Sequence, residues 1–346
     1  MRKKPSITDV AKLAGVSRTT VSYVLNNVTG IHISEQTRQR VLDSARELDY
    51  HPNAVARSLA RKKTLTLGLV LCANLDRLNS DAFLPGVIYG IGSITAPAGF
   101  RLLVEVVDDV SRPNAYTSLI REFHSDGIIL AGVRPDDHQL DGLNADDFPV
   151  VLWGKLPNSS LPFVDVDNVS AARMAVEHLI ALGQTRIACI TNASPASAHE
   201  AADRLYGYQS ALEAHGLFYD ETLVRFGDYR ERSGFEAMSS LLALPERPSA
   251  VFVASDVVAL GALSAARNAG LSVPHDLAVV GFDDIQLSQY VVPPLTTVRV
   301  PAHEIGATSA QMLLNIIQNG HRPASVFLAT ELIVRESCGA NVYNTV

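Results

Sequence analysis

The chain has 346 residues, 47% hydrophobic and 19% charged, with a formal net charge of −7. That length allows two or three domains around well-buried cores, and the balance argues against long disorder, collagen-like repeats and low-complexity tails. No run of 18 apolar residues occurs, which excludes a membrane-spanning helix. The basic start Met1-Arg2-Lys3-Lys4 runs into Pro5, Ser6, Thr8 and Asp9 where a signal peptide needs an apolar stretch, so a cytoplasmic protein is expected. Cys72, Cys189 and Cys338 are far apart, with no CxxC pair, and read as buried thiols rather than a disulfide framework or a zinc site. Charge is divided unevenly: residues 1–63 hold 12 Lys+Arg against 5 Asp+Glu, a net of +7, while residues 64–346 hold 17 against 31, a net of −14. A basic head on an acidic body points to a polyanion as the partner of the head.

Within the head, Ser6-Ile7-Thr8-Asp9 fits a capping box that opens an apolar stretch of Val10, Ala11, Leu13 and Ala14. Gly15 stops that helix, and Ser17 caps a second one after a very short turn, with Val16 placed to staple against Val21. On the second helix Val21, Val24 and Leu25 share one face at 3.6 periodicity, while Arg18, Thr19, Ser22 and Tyr23 share the other. Ser34 caps a third helix whose Val41, Leu42, Ala45 and Leu48 complete a small core. Two close-set capped helices and a positive charge describe a helix-turn-helix, whose second helix puts its N-terminal residues on base edges in the major groove. The other reading is an ordinary three-helix head with a polar surface.

Thr8-Asp9-Val10-Ala11-Lys12-Leu13-Ala14-Gly15-Val16-Ser17, Thr20-Val21-Ser22-Tyr23-Val24-Leu25-Asn26, Thr37-Arg38 and Tyr50-His51-Pro52-Asn53-Ala54-Val55-Ala56-Arg57-Ser58-Leu59 together resemble the head and hinge of the LacI/GalR family of bacterial transcriptional regulators. The resemblance implies base contacts on Arg18, Thr19 and Tyr23, with Ser6, Ser17, Thr20, Ser22, Asn26, Asn53, Ala56 and Leu59 completing the DNA-binding set. Tyr23 stands where relatives often carry Arg or His. The resemblance also implies a hinge that becomes helical on DNA and wedges Leu59 between base steps from the minor groove. Val55 and Leu59 are i, i+4 neighbours on a segment too short to be helical alone, which fits that device. Packing of Leu59 under the body is the alternative.

Beyond Thr64, apolar β-rich runs at 65–71, 101–107, 127–130, 150–153, 186–190, 250–254, 277–281 and 296–300 alternate with helical patterns near 82–96, 114–125, 170–182, 201–215, 232–243, 257–269 and 302–318. Such alternation predicts parallel sheets covered on both faces, and so many strands predict two lobes with a ligand cleft at the strand C-termini. The resemblance extends here through 171–183, Asp203-Arg204-Leu205-Tyr206-Gly207-Tyr208, Ala254-Ser255-Asp256, Gly281-Phe282-Asp283-Asp284 and Pro293-Pro294-Leu295-Thr296-Thr297-Val298, which are similar to the family's effector domain.

The fold class so implied is an α/β effector domain of two periplasmic-binding-protein-like lobes with parallel sheets, carrying an all-α helix-turn-helix head. Its domains are a head at 1–50, a hinge and linker at 51–63 and a dimerising effector domain at 64–346. Lobe 1 spans about 64–168 plus 299–326, and lobe 2 about 169–298 plus 327–346. The implied effector contacts are Arg204, Ser255 and Asp283, Tyr229 as a stacking ring, and Cys72 and Phe83 from the facing lobe. Arg204 offers a fork of donors and Asp283 an acceptor, which suits the hydroxyls of a sugar. Relatives commonly carry an Asn-Pro-Phe-Phe type stretch after the first strand, whereas 73–85 here has Phe83 as its one aromatic.

Enzyme signatures are missing. Gly86, Gly90 and Gly92 do not form GxGxxG after a strand, and no GxxxxGK[ST] or GxSxG occurs. His178 and His215 have no second ligand at metal spacing, and Asp108-Asp109, Asp136-Asp137 and Asp146-Asp147 read as solvated loop caps. These absences leave a non-enzymatic reading without cofactor or metal, and the LacI/GalR resemblance implies a homodimeric DNA-binding repressor of a pseudo-palindromic operator, controlled by a sugar or sugar derivative. The alternatives are a corepressor-dependent regulator responding to a non-sugar metabolite and, behind it, a sugar-binding protein or enzyme without DNA function.

Overall fold

A computed structural model describes residues 5–26, 30–50, 63–73, 75–107, 125–133, 140, 148–157 and 159–340. The hinge residues Asn53, Ala56 and Leu59, the helix expected near 114–125 and the three aspartate pairs lie, wholly or for all but one residue, outside the described residues. The chain divides into two compact units, 1–64 and 65–346.

The first unit holds α1 (Ile7–Ala14), α2 (Arg18–Leu25) and α3 (Glu35–Glu47). Local polar chemistry sets each boundary. Asp9 accepts the Ser6 N–H at 2.9 Å and the Ser6 hydroxyl at 2.6 Å. Gly15 adopts φ +66°, a conformation that costs glycine little, and the Val16 N–H closes α1 on the Ala11 carbonyl at 3.0 Å. Ser17 accepts from the Thr20 N–H at 3.0 Å and Ser34 from the Thr37 N–H at 3.3 Å, so each following helix starts on a hydroxyl. Val10, Ala11, Ala14, Val21, Val24, Val41 and Ala45 then pack as one buried cluster, with Val16 against it.

The second unit contains two six-stranded sheets. Strands β1 (Thr66–Leu71), β2 (Arg101–Val106), β3 (Gly127–Ala131), β4 (Val150–Trp153), β5 (Phe163–Val166) and β11 (Val326–Leu328) form the first, in the order β11-β5-β4-β3-β1-β2 and parallel throughout. Strands β6 (Ile187–Thr191), β7 (Val224–Phe226), β8 (Ala250–Val253), β9 (Ala278–Asp283), β10 (Thr296–Arg299) and β12 (Glu331–Ile333) form the second, in the order β12-β10-β9-β8-β6-β7. Among the described strands only β12 runs antiparallel, against β10. Every residue of β3, β6 and β8 is buried, as expected of central strands covered on both faces. The eight strands expected from the apolar runs are all present, and β5, β7, β11 and β12 are additional.

Helices α4 (Leu75–Ser80), α5 (Leu84–Thr95), α6 (Asn168–Ala181), α7 (His199–Ala214), α8 (Glu231–Leu242), α9 (Asp256–Asn268) and α10 (Ala302–Asn319) cover the sheets. The chain passes between the lobes after β5, after β10 and again between β11 and β12. In each sheet the first strand has its successors on opposite sides, β2 and β3 around β1, β7 and β8 around β6. That reversal opens a crevice beyond the strand C-termini.

Glycines let paired helices meet backbone to backbone. A Cβ on Gly90 of α5 would stand 2.0 Å from the His303 carbonyl oxygen of α10, and one on Gly306 of α10 would stand 2.1 Å from that of Val87. Gly92, two residues along α5, meets nothing within 4 Å. Gly90→Ala is therefore expected to destabilise the body by about 1–3 kcal/mol through overpacking, and Gly92→Ala to stabilise it by up to about 1 kcal/mol through helix propensity. Urea denaturation of the two variants measures the contrast.

Candidate functional site

In the head the polar side chains expected at DNA separate into two groups. Ser6, Ser17, Thr20, Ser22 and Asn26 are engaged locally: Ser6 on Asp9, the Ser17 and Thr20 hydroxyls on each other at 2.9 Å, and the Asn26 Nδ2 on the Ser22 carbonyl at 2.9 Å and the Ser22 hydroxyl at 3.2 Å. Arg18 and Thr19 are exposed in the first turn, with Tyr23 half-buried one turn on. The apolar face of the same helix, Val21 and Val24, is locked into the core, so the orientation of the outer face is fixed.

The second unit holds a cavity of about 170 Å³ between the C-terminal edges of its sheets. The six residues expected around an effector all line it. Cys72 follows β1, Phe83 precedes α5, Arg204 lies in α7, Tyr229 follows β7, Ser255 follows β8 and Asp283 ends β9. Arg204 is the best-anchored of them. Its Nε donates to Asn168 Oδ1 at 2.9 Å, its Nη1 donates to the Ala254 carbonyl at 2.7 Å and stands 3.8 Å from Asp283 Oδ1, and its guanidinium lies 3.9 Å over the Phe282 ring.

The backbone around the cavity is strained in three places. Asp283 and Asp284 adopt φ +116° and +54°, and Tyr229 adopts φ +66°, all in a region that side-chain-bearing residues rarely enter. Neighbours hold them there. Asp284 accepts from Arg299 at 2.8 Å and Arg335 at 2.7 Å. The Tyr229 N–H donates to the Asn192 carbonyl at 2.8 Å and its hydroxyl to Glu200 Oε1 at 2.5 Å. Behind Asp283, the buried Asp256 carboxyl accepts from the Ile285 N–H at 3.1 Å, the Ser288 hydroxyl at 2.6 Å and the Thr297 hydroxyl at 2.7 Å.

Burial pushes the Asp283 carboxyl up to about 8, with Arg204 opposing and Asp256 and Asp81 adding to the rise. Burial likewise pushes Asp256 up to about 6, against its three hydrogen bonds. The cavity also takes in residues that the sequence did not single out. Trp153, at the end of β4, stacks on Phe83 with centroids 6.0 Å apart, and Asn168, Asn192, Asp165 and Glu200 join the polar wall. Their common signal is position, since most sit at or just beyond a strand C-terminus. His178 packs its Nε2 3.3 Å from Cys338 Sγ, and His215 Nδ1 is bonded to the Ala211 carbonyl at 2.9 Å. Among the described residues no group of three or more His, Cys, Asp or Glu is placed to hold a metal ion, and no helix is long and apolar enough to cross a membrane.

The pattern of bacterial regulatory proteins of the lacI family matches residues 6–53, and that of the periplasmic binding protein-like domain matches residues 176–338. The HTH-type transcriptional regulator CelR of Thermobifida fusca is 36% identical over 97% of this chain and 99% of its own length. The chain belongs to the LacI family. Among solved structures, a Lac repressor dimer bound to operator and the anti-inducer ONPF aligns with a TM-score of 0.86 at 30% identity, covering 98% of this chain and all of that one. A CelR–cellobiose complex aligns with a TM-score of 0.73 at 36% identity, covering 96% of this chain and 99% of that one. This LacI-family member is a DNA-binding transcriptional regulator: a helix-turn-helix head followed by a two-lobed body of parallel sheets.

The raised carboxyls make stability depend on pH. Between the ordinary aspartate value of 3.8 and their folded values, Asp256 and Asp283 hold protons that the unfolded chain has released. Stability of the ligand-free LacI-family body is therefore expected to fall as pH rises from about 4 through 6 to 8. Asp283→Asn should flatten that fall, raising the urea midpoint at pH 8.5 while leaving it near wild type at pH 5.

Proposed function

We propose that this regulator is a homodimeric repressor that occupies a pseudo-palindromic operator, and that a sugar or sugar derivative in the body cleft controls its operator affinity. The convergence of Cys72, Phe83, Arg204, Tyr229, Ser255 and Asp283 on one cavity carries this reading. Donors of Arg204 and acceptors of Asp283 side by side suit a polyol, whose hydroxyls both give and take hydrogen bonds. The aromatic rings of Phe83 and Trp153 supply an apolar wall for a sugar face. The cellobiose held by CelR, a relative over nearly the whole chain, supports the same class. In this reading the cleft binds without turnover and the protein works in the cytoplasm.

On the DNA side, Arg18, Thr19 and Tyr23 read bases from the outer face of α2. Asn53, Ala56 and Leu59 enter through the family resemblance, as a hinge that wedges Leu59 into the minor groove. A ligand that favours one arrangement of the lobes shifts the head only by its differential affinity for the two.

Fluorescence anisotropy on DNA from the regulator's own upstream region tests both halves. Arg18→Ala should weaken operator binding by about 1–3 kcal/mol with a far smaller loss on random DNA, since a base contact is lost. Equal loss on both would remove Arg18 from the reading set. Arg204→Ala should keep ligand-free operator binding near wild type and abolish the response to sugar. A retained response would make Arg204 a purely structural ion pair.

A further inference from the structure

Asn192 stands apart from every other polar residue in the cleft. It follows β6, is 1% exposed and lines the cavity, yet neither Nδ2 nor Oδ1 has a hydrogen-bond partner among the described residues. Its backbone is held: the Asn192 carbonyl accepts the Tyr229 N–H at 2.8 Å, the preceding Thr191 carbonyl accepts the Gly227 N–H at 2.9 Å, and the Thr191 hydroxyl donates to the Ala193 carbonyl at 2.6 Å. A buried carboxamide with both ends unmet is costly to keep unless something meets them. A fixed frame around it leaves the ligand as the partner.

The carboxamide presents one donor and one acceptor side by side, so its complement is a pair of neighbouring hydroxyls, each able to give or accept. The charged lining narrows the class further. Asp81, Asp165, Glu200 and Asp283 share the lining with Arg204, Lys155 and His199, so carboxylates outnumber basic groups by four to three, and His199 lies 3.6 Å from a further carboxylate, Asp203. Part of that negative charge is satisfied from the backbone, Asp81 by the Phe83 and Leu84 N–H groups at 2.9 Å and Asp165 by those of Lys155 and Val166 at 2.7 Å. A ligand bearing its own carboxylate or phosphate would add to a field that already holds Asp283 toward its protonated form.

We propose that Asn192 is a specificity-determining contact that clasps two adjacent hydroxyls of an uncharged sugar, and that the cleft rejects acidic and phosphorylated sugars. This rests on the sugar reading of the preceding section and adds to it a residue and a charge class.

Calorimetry on the full chain decides it, using cellobiose, glucose, galactose and ribose as neutral probes and glucuronate and glucose 6-phosphate as anionic ones. Wild type should bind at least one neutral probe and hold the anionic probes at least tenfold more weakly. Asn192→Leu, close in size and without polar atoms, and Asn192→Asp, which loses the donor, should each weaken that neutral probe at least tenfold. Without ligand, the Tm of Asn192→Leu should equal or exceed that of wild type, because the Asn192 side chain gives up no hydrogen bond to the described residues. Equal binding by wild type and both variants would overturn the role of Asn192 and leave the sugar reading intact. A lowered ligand-free Tm together with unchanged sugar affinity would make Asn192 structural and overturn it as well. Binding of an anionic probe in preference to the neutral ones would overturn the charge class. Failure of every sugar to bind wild type would overturn the sugar reading and this inference together.

Discussion

A guanidinium removed from water has to be met on several sides, and Arg204 organises the cleft by that demand. Its partners come from three places in the second lobe: Asn168 at the start of α6, the Ala254 carbonyl beyond β8, and the Phe282-Asp283 end of β9. Bringing Asp283 within 3.8 Å goes with a positive φ at two consecutive aspartates, and that conformation is secured by the Arg299 and Arg335 ion pairs on Asp284. Strain and buried charge are thereby concentrated where a ligand has most to gain from them. Burial raises the Asp283 carboxyl even with Arg204 beside it.

The scaffold that permits this is a matter of close approach. Parallel sheets expose all their strand C-termini on one side, and covering helices must come near enough to exclude water from both faces. Glycines at the α5–α10 contact remove the side chains that would hold the helices apart. Gly281 does the same beside the site, where a Cβ would stand 2.1 Å from Asp256 Oδ1 and displace the carboxyl that anchors Ile285, Ser288 and Thr297.

Legibility in the sequence follows the range of the interactions involved. The head was readable residue by residue because its boundaries are made by groups three to five positions apart: Ser6 with Asp9, Val16 with Ala11, Ser17 with Thr20, Ser34 with Thr37. The central strands were readable as apolar runs because they are buried on both faces. Strands β7, β11 and β12 are three residues long and only partly buried, so they leave no periodic signal. In the cleft, Arg204 and Asp283 are 79 positions apart and meet only through topology, so the family resemblance found them where periodicity could not. Trp153 and Asn192 escaped both routes. Nothing in the neighbouring residues tells an unpartnered asparagine from a satisfied one; only the folded surroundings do.

Control of operator binding from the cleft requires the cleft and the DNA-reading head to be thermodynamically linked, and linkage is reciprocal. The most direct measurement is the affinity of the full chain for its sugar, taken once free and once saturated with operator. The predicted result is a change of at least about fivefold, equal to the factor by which saturating sugar changes operator affinity. A sugar affinity unaffected by operator would contradict the claim, however tightly each ligand bound alone.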